Sequence, residues 1–140
     1  MEWLKCELNF QTHGQALYPI TDAINQQIRT WQIWEGMCHL FIQHTSASLM
    51  INESFDPTAR MDMEQFLLTL APANQVWYRH TIEGDDDSPS HLKAMIMPVD
   101  LSIPIDDGRL SLGTWQGIYL CEHRKLRQQR TILVRCMKIS

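Results

Sequence analysis

Three stretches of the chain hold most of the side chains able to do chemistry. The first is His44-Thr45-Ser46-Ala47-Ser48, followed by Asn52-Glu53, Asp56 and Asp62. The second is His80, Glu83-Gly84, Asp86-Asp87, His91 and Lys93. The third is Gly113-Thr114-Trp115-Gln116-Gly117, with Glu122-His123-Arg124 beginning five positions beyond it. Neutral imidazoles beside a carboxylate are the ligand set of catalytic zinc, which keeps one position for water. His44, His80 and His91 qualify by type, but they lie 36 and 11 positions apart, so no local spacing rule marks a zinc site. Glu83, Asp86 and Asp87 would suit Mg²⁺, which prefers carboxylates and substrate phosphates. The same histidines and acids can serve as acid and base without any metal. Thr45, Ser46 and Ser48 offer hydrogen-bond donors to an anion, and Lys93 near a helix start adds charge.

Each residue also has a bland reading. A histidine at a strand end is more often a hydrogen-bonded structural residue than a ligand. Asp56 is sufficiently explained as a helix cap. Asp62 and the acidic run 85–87 can simply be solvated, and Trp115 can fill the core. Glu122 falls at a strand end, where it can pair with Arg124 or Arg135 at the surface.

Positioning these groups falls to elements that the pattern sketches. Leu4, Cys6, Leu8 and Phe10 alternate with Lys5, Glu7 and Asn9, the period of a half-buried strand. Thr21-Asp22 reads as a capped helix start, Ile24, Ile28 and Trp31 as its apolar stripe, and Gly36 as its stop. Met37 to Gln43 is a buried strand delivering His44-Thr45-Ser46 to its end. Asp56-Pro57 opens a helix through Phe66 and Leu70 that Ala71-Pro72 ends. Residues 73–90 form a polar loop, long enough in a small domain to suggest a task. Ser88-Pro89 opens a short helix carrying His91 and Lys93. Strands follow at 99–105 and 109–121, joined through the turn Asp106-Asp107-Gly108, and Thr131 to Met137 closes the chain as a strand. Strands outnumber helices and interleave with them, which predicts an α+β domain of mixed, mainly antiparallel sheet with two to four helices over residues 1–140.

Composition sets the outer bounds. A 140-residue chain, 44% hydrophobic and 20% charged, is one domain of ordinary soluble make-up. Twelve basic against sixteen acidic residues leave a net charge of -4, with no basic excess to neutralise a phosphate backbone. No apolar run approaches the ~18 residues that span a bilayer, and the start lacks a secretory pattern. The expectation is a cytoplasmic protein that binds neither nucleic acid nor membrane. Its four cysteines, none in a CxxC pair, then read as reduced and mostly buried.

Taken in order, the polar stretches resemble the YjbQ family, described as secondary thiamine-phosphate synthases. His44-Thr45-Ser46-Ala47-Ser48-Leu49, Asn52-Glu53, Asp56-Pro57 and Asp62-Met63 look like its first half. His80, Glu83-Gly84, Asp86-Asp87, Pro89-Ser90-His91 and Lys93 look like its middle motif. Gly113 to Ile118 and Glu122-His123-Arg124 look like its C-terminal signature. Pro98, where a glycine commonly stands, and Lys125 to Gln129, where glycines are usual, depart from the pattern.

The resemblance implies a compact α+β fold, a homotrimer, and one pocket near a subunit boundary where the polar stretches meet. It implies joining of a pyrimidine pyrophosphate to a thiazole phosphate with release of pyrophosphate. On that reading His44, His80, His91, Asp86 and Asp87 hold a divalent metal, Mg²⁺ or Zn²⁺. Thr45, Ser46, Asn52, Lys93, Thr114, Trp115 and Gln116 bind a small-molecule substrate, and Glu53, Asp62, Glu83 and Glu122 do acid–base work. Two alternatives stand beside it. One is a zinc-dependent hydrolase with Glu53 or Glu122 as general base, and the other is a non-enzymatic trimeric metabolite- or metal-binding protein.

Overall fold

Strand alternation at the N-terminus is real and longer than its apolar core: β1 spans Glu2–His13. The computed structural model describes all 140 residues. It continues through β2 (Ala16–Pro19), α1 (Thr21–Thr30), β3 (Gly36–Ile42), β4 (Ala47–Glu53) and α2 (Pro57–Leu70). Then come α3 (Asp87–Ile96), β5 (Asp100–Asp106), β6 (Arg109–Leu110), β7 (Gln116–Glu122) and β8 (Arg127–Lys138). The strands form a five-stranded sheet, β1-β8-β3-β5-β6, and a three-stranded sheet, β2-β7-β4. Every pairing is antiparallel, so the parallel component of the expected mixed sheet is absent.

One core joins the two sheets. Leu40, Ile42, Ile103, Ile132 and Val134 from the large sheet meet Leu49, Ile118 and Leu120 from the small one, and α1 adds Ile24 and Ile28. Each such side chain, fully withdrawn from water, contributes about 1.5–3 kcal/mol of transfer free energy. β7 is buried on both faces. Ile118 and Leu120 enter the main core, while Tyr119 and Cys121 join Leu17 in a smaller cluster packed by Met63 and Leu67 of α2. Of the cysteines, Cys38, Cys121 and Cys136 are buried, Cys6 is half-buried, and all four are free thiols.

Several local expectations change. The run 109–121 is not one strand: β6 only completes a hairpin with β5, and the chain then crosses to the other sheet before β7 begins. Periodicity along one strand carries no mark of which sheet it joins. Thr21 does not cap α1. Its hydroxyl accepts from the Ile118 backbone N–H at 2.8 Å, tying the helix start to β7. Gly36 opens β3 rather than ending the helix, and it is required there because a Cβ would collide with the Met137 carbonyl. α3 begins at Asp87, before Ser88, and Pro89 at its third position needs no N–H partner in the first turn. Asp56 does cap α2, with Oδ1 accepting from Thr58 N at 2.9 Å. β2 and β4 had no clear sequence signal, because hydroxyl and amide side chains interrupt the apolar pattern of residues 47–53.

Candidate functional site

The small sheet ends in a set of buried ionic and polar groups. Glu122 closes β7 at 3% exposure, and Arg130 of β8 lies at 4%. Arg130 Nε donates to Glu122 Oε1 at 2.8 Å, and Thr12 Oγ1 donates to the same oxygen at 2.6 Å. Arg130 also reaches Ser46, donating from Nη2 to Oγ at 2.9 Å and to the carbonyl at 3.1 Å. Burial alone would raise the Glu122 pKa. The hydrogen bonds from Arg130, Thr12 and the Arg124 backbone N–H outweigh it and hold the carboxyl below its ordinary value. Beside this pair, His123 is 1% exposed, with Nε2 3.0 Å from Ser48 Oγ. Burial, reinforced by nearby Lys93, pushes its pKa down to about 4, so it is a neutral imidazole at pH 7.

The next residue, Arg124, turns outward and organises the acidic loop. Its Nε donates to Asp86 Oδ2 at 3.1 Å, its Nη1 to Asp87 Oδ1 at 2.7 Å and its Nη2 to the Glu83 carbonyl at 3.0 Å. Asp87 and His91, four residues apart in the first turns of α3, share a helix face. His80 arrives from the preceding loop. Asp87 Oδ2 lies 2.6 Å from His80 Nε2 and 3.0 Å from His91 Nε2. The ligand atoms of His80, Asp87 and His91 all fall within 4.8 Å of one another. Burial raises the Asp87 pKa, but the hydrogen bond from His80 and the charges of His91 and Arg124 more than offset it and leave the pKa lowered.

The orientation of His91 is the telling detail. Its Nδ1 sits 2.9 Å from the Thr45 carbonyl, which can only accept, so Nδ1 carries a proton. Nε2 therefore turns its remaining valence toward a carboxylate oxygen, and the two need a cation between them, a proton or a metal ion. Two imidazoles and one carboxylate match a zinc-type ligand set. The supporting contacts, a carbonyl on His91 and a guanidinium on Asp87, are those that orient metal ligands. Mg²⁺, which demands oxygen ligands in octahedral array, fits poorly.

The other expected site residues are placed as follows. His44 lies outside the cluster: its Nε2 accepts from the Thr131 backbone N–H at 2.8 Å, which occupies the lone pair a metal would need. It does border, with Thr45, His91, Met95 and Val99, an open depression of about 450 Å³. Asp86 is buried, and its Oδ2 is taken by Arg124 and by the Lys125 backbone N–H at 2.7 Å, so it serves the loop rather than a metal. Lys93 is buried, on the opposite helix face from His91. Glu122 is ion-paired inside the protein with Arg130 rather than at the surface with Arg124 or Arg135, and both its oxygens are engaged, which leaves no free oxygen for the general-base role.

The remaining residues lie at the far end of the small sheet. Ala47 pairs with Glu122 and Glu53 with Gln116, so the two ends are six residue steps apart, roughly 20 Å. Glu53 there accepts from the Phe55 and Asp56 backbone N–H groups, and Gln116 Oε1 accepts from Gly113 N. Asn52 and Thr114 are exposed. Trp115 is 55% exposed and packs edge-on to Phe55 at 4.9 Å between centroids, so it does not fill the core. Asp62 on α2 borders a separate apolar groove with Met63, Phe66 and Met97. Within one chain, then, the polar stretches do not form a single pocket.

Comparison with known proteins decides the family. The model of the UPF0047 protein YjbQ-like family matches residues 6–139. The chain belongs to this family. The UPF0047 protein YjbQ of Escherichia coli O157:H7 is 43% identical over 123 residues, 87% of this chain and 88% of that protein. The UPF0047 protein sll1880 of Synechocystis is 40% identical over 123 residues, covering 88% and 84%. Among solved structures, an uncharacterised conserved YjbQ/UPF0047 family protein from Clostridium acetobutylicum superposes with a TM-score of 0.85. It is 32% identical and covers 94% of this chain and 99% of that one. A conserved hypothetical protein from Thermus thermophilus gives 0.84 at 31% identity, covering 94% and 99%. The α+β fold is thus that of the YjbQ-like family.

Of the two departures from the YjbQ pattern, Pro98 lies in the connection from α3 to β5, and Lys125 to Gln129 runs from a loop into the start of β8. Pro98 follows α3 and offers its carbonyl to Leu49 N at 2.9 Å, a contact needing no N–H of its own. Lys125 fixes Asp86 through its backbone N–H. No helix is long and apolar enough to cross a membrane. Arg130 stands in none of the motifs read from the sequence. Its one signal is a charged residue at an inward position of an alternating strand, flanked two residues on by buried Ile132.

Proposed function

We propose that this YjbQ-like protein is a metal-dependent hydrolase of a small phosphorylated or carbonyl substrate, with His80, Asp87 and His91 as the metal ligands. The support is the His91 geometry: Nδ1 committed to the Thr45 carbonyl and Nε2 turned toward Asp87. A zinc ion held there would supply Lewis acidity to a water or substrate oxygen. Arg124 holds Asp87 in place, and Thr45 orients His91. Glu83, whose backbone carbonyl is held by the same Arg124 guanidinium that binds Asp87, would supply the general base. Substrate would enter over the depression bordered by His44, Thr45 and Met95. Metal analysis after zinc loading and dialysis should find about one ion per chain. His91→Ala and Asp87→Ala should lose it and the hydrolysis of a phosphate-ester probe, while His44→Ala keeps the ion. Stoichiometric zinc in His91→Ala would defeat the reading.

The exposed Phe55–Trp115 pair favours a second reading, the synthase activity implied by the resemblance, since it offers a stacking platform for a heterocyclic ring. It lies roughly 20 Å from the histidines along the same sheet, so this reading needs a homotrimer in which one copy's Trp115 approaches the next copy's His91. Light scattering should then give a mass of three chains, and Trp115→Ala should abolish thiamine phosphate formation from the two precursors. A monomer at micromolar concentration removes this reading and leaves the metal site untouched. If neither assay shows turnover while a metabolite raises the melting temperature, the non-enzymatic binding reading takes their place.

A further inference from the structure

The bond that keeps His44 from a metal also fixes where its proton sits. Nε2 accepts from the Thr131 backbone N–H at 2.8 Å and therefore carries no hydrogen. An imidazole in that state has a single N–H, on Nδ1. This N–H meets no acceptor within the protein, and no buried side-chain nitrogen or oxygen of the chain lacks a partner, so Nδ1 opens to solvent. Two depressions, of about 450 and 460 Å³, lie against His44 and also share Thr45 and Val99. Thr45, the next residue, is the one whose carbonyl holds His91 Nδ1 at 2.9 Å. A free donor and the candidate metal ligand thus border one depression.

The lining limits what can bind there. The first depression has Ala94, Met95 and Val99 as its apolar side and neither lysine nor arginine. In the second the one cation is Arg130, buried and already bonded to Glu122 and Ser46. Transferring phosphoryl groups call for arginine, lysine or metal clamps on several oxygens, whereas one neutral donor suits the single oxygen of a carbonyl, which gains negative charge as water adds.

We propose that His44 Nδ1–H binds the carbonyl oxygen of an uncharged ester or amide whose apolar part lies on Ala94, Met95 and Val99. This names the substrate class of the hydrolase reading, on which the reaction rests, while the binding needs only the residues named. In the reaction the water oxygen bonds to the carbonyl carbon and the acyl C–O or C–N bond breaks. The two protons of water end on the carboxylic acid and on the departing alcohol or amine, with no change of oxidation state.

Two measurements separate the site from the reaction. The chain has six histidines, so their ring signals can be assigned in isotope-labelled, metal-free protein by nuclear magnetic resonance without any variant. His44 should show a proton on Nδ1 and none on Nε2. Benzamide, an uncharged carbonyl probe, should shift that Nδ1–H signal saturably, with phenyl phosphate binding about tenfold more weakly. A proton on Nε2, or a signal that benzamide leaves unmoved, overturns the proposal, and equal binding of phenyl phosphate overturns the ligand class. In zinc-loaded protein, His44→Ala should keep its zinc and lose about 100-fold in kcat/KM on p-nitrophenyl acetate, the usual effect of removing a donor to a developing oxyanion. An unchanged rate with zinc retained overturns the role of His44 and leaves the hydrolase reading standing. A wild type that takes up no zinc defeats that reading alone, and the benzamide titration still decides the site.

Discussion

Glu122→Ala is expected to cost about 3–5 kcal/mol of folding stability, because it strands the buried Arg130 guanidinium without its anion. Arg130 is 4% exposed, and what remains near it is the Ser46 hydroxyl and carbonyl, which cannot neutralise a charge. Thr12 would lose its closer acceptor as well, keeping only the Gln128 carbonyl at 3.3 Å. For a protein whose total stability is about 5–15 kcal/mol, this approaches unfolding at room temperature. Replacing both partners with apolar residues of similar volume, as in Glu122→Leu with Arg130→Met, should recover most of the loss. Urea denaturation of the wild type, the single variant and the double variant checks this. A single-variant loss under about 1 kcal/mol would show that water reaches Arg130.

The pH dependence has a definite sign. The Glu122 pKa is lower folded than unfolded, so its contribution is complete above the ordinary carboxylate value and is lost as pH falls through the folded value. The gap between wild type and Glu122→Ala should therefore narrow on acidification.

Arg124→Met should have the next largest effect, and it reaches the candidate site. Arg124 is the shared cation for Asp86 and Asp87, which are 6% and 2% exposed. Its removal leaves two adjoining buried carboxylates facing each other's charge, at an expected cost of about 2–4 kcal/mol. The Glu122–Arg130 pair is untouched, so the fold should persist. The acidic loop loses its tether to the Glu83 carbonyl, and Asp87 loses the contact that orients it. Zinc affinity is then expected to fall about 10–100-fold, the usual effect of losing a contact that supports a ligand. Arg124→Lys should rescue stability in part but not affinity, since an ammonium cannot span both acids as the planar guanidinium does. Both carboxyl pKa values lie below their ordinary range in the wild type. That share of stability is present above the ordinary range and lost as pH falls through the folded values, so this gap too should close in acid. Titration calorimetry with zinc and urea unfolding at two pH values are the measurements. Unchanged zinc affinity in a folded Arg124→Met protein would separate the guanidinium from the metal function.

How far the site could be read from residues alone varied with distance along the chain. Asp87 and His91 could be paired in advance, since four positions on a helix put them on one face, and the same rule separates Lys93 from His91. His80 could not be placed, because it lies in the loop between α2 and α3, where no periodicity operates. His44 had every qualification of a ligand by type. A single backbone N–H from Thr131, 87 positions away, occupies the nitrogen it would use. Glu122 looked like a surface residue because it ends a strand. β8 and β1 enclose it, through Arg130 and Thr12.

Strand alternation, the Asp56 cap, the turn at Asp106 to Gly108 and the ordered motifs were set by the sequence, because each depends on neighbours a few residues apart or on pattern along the chain. These were sufficient for the α+β class and the YjbQ-like family. Which polar stretches meet was decided only in three dimensions. The antiparallel register of β4 against β7 carries Glu53 and Trp115 to one end of a sheet and His44 and Glu122 to the other. A strand advances about 3.3 Å per residue, so groups that read as one constellation are held apart by the element connecting them. The close cluster of His80, Asp87 and His91 exists because Arg124, arriving from the end of β7, binds the acidic loop against α3. No rule of local spacing contains a contact across 37 residues.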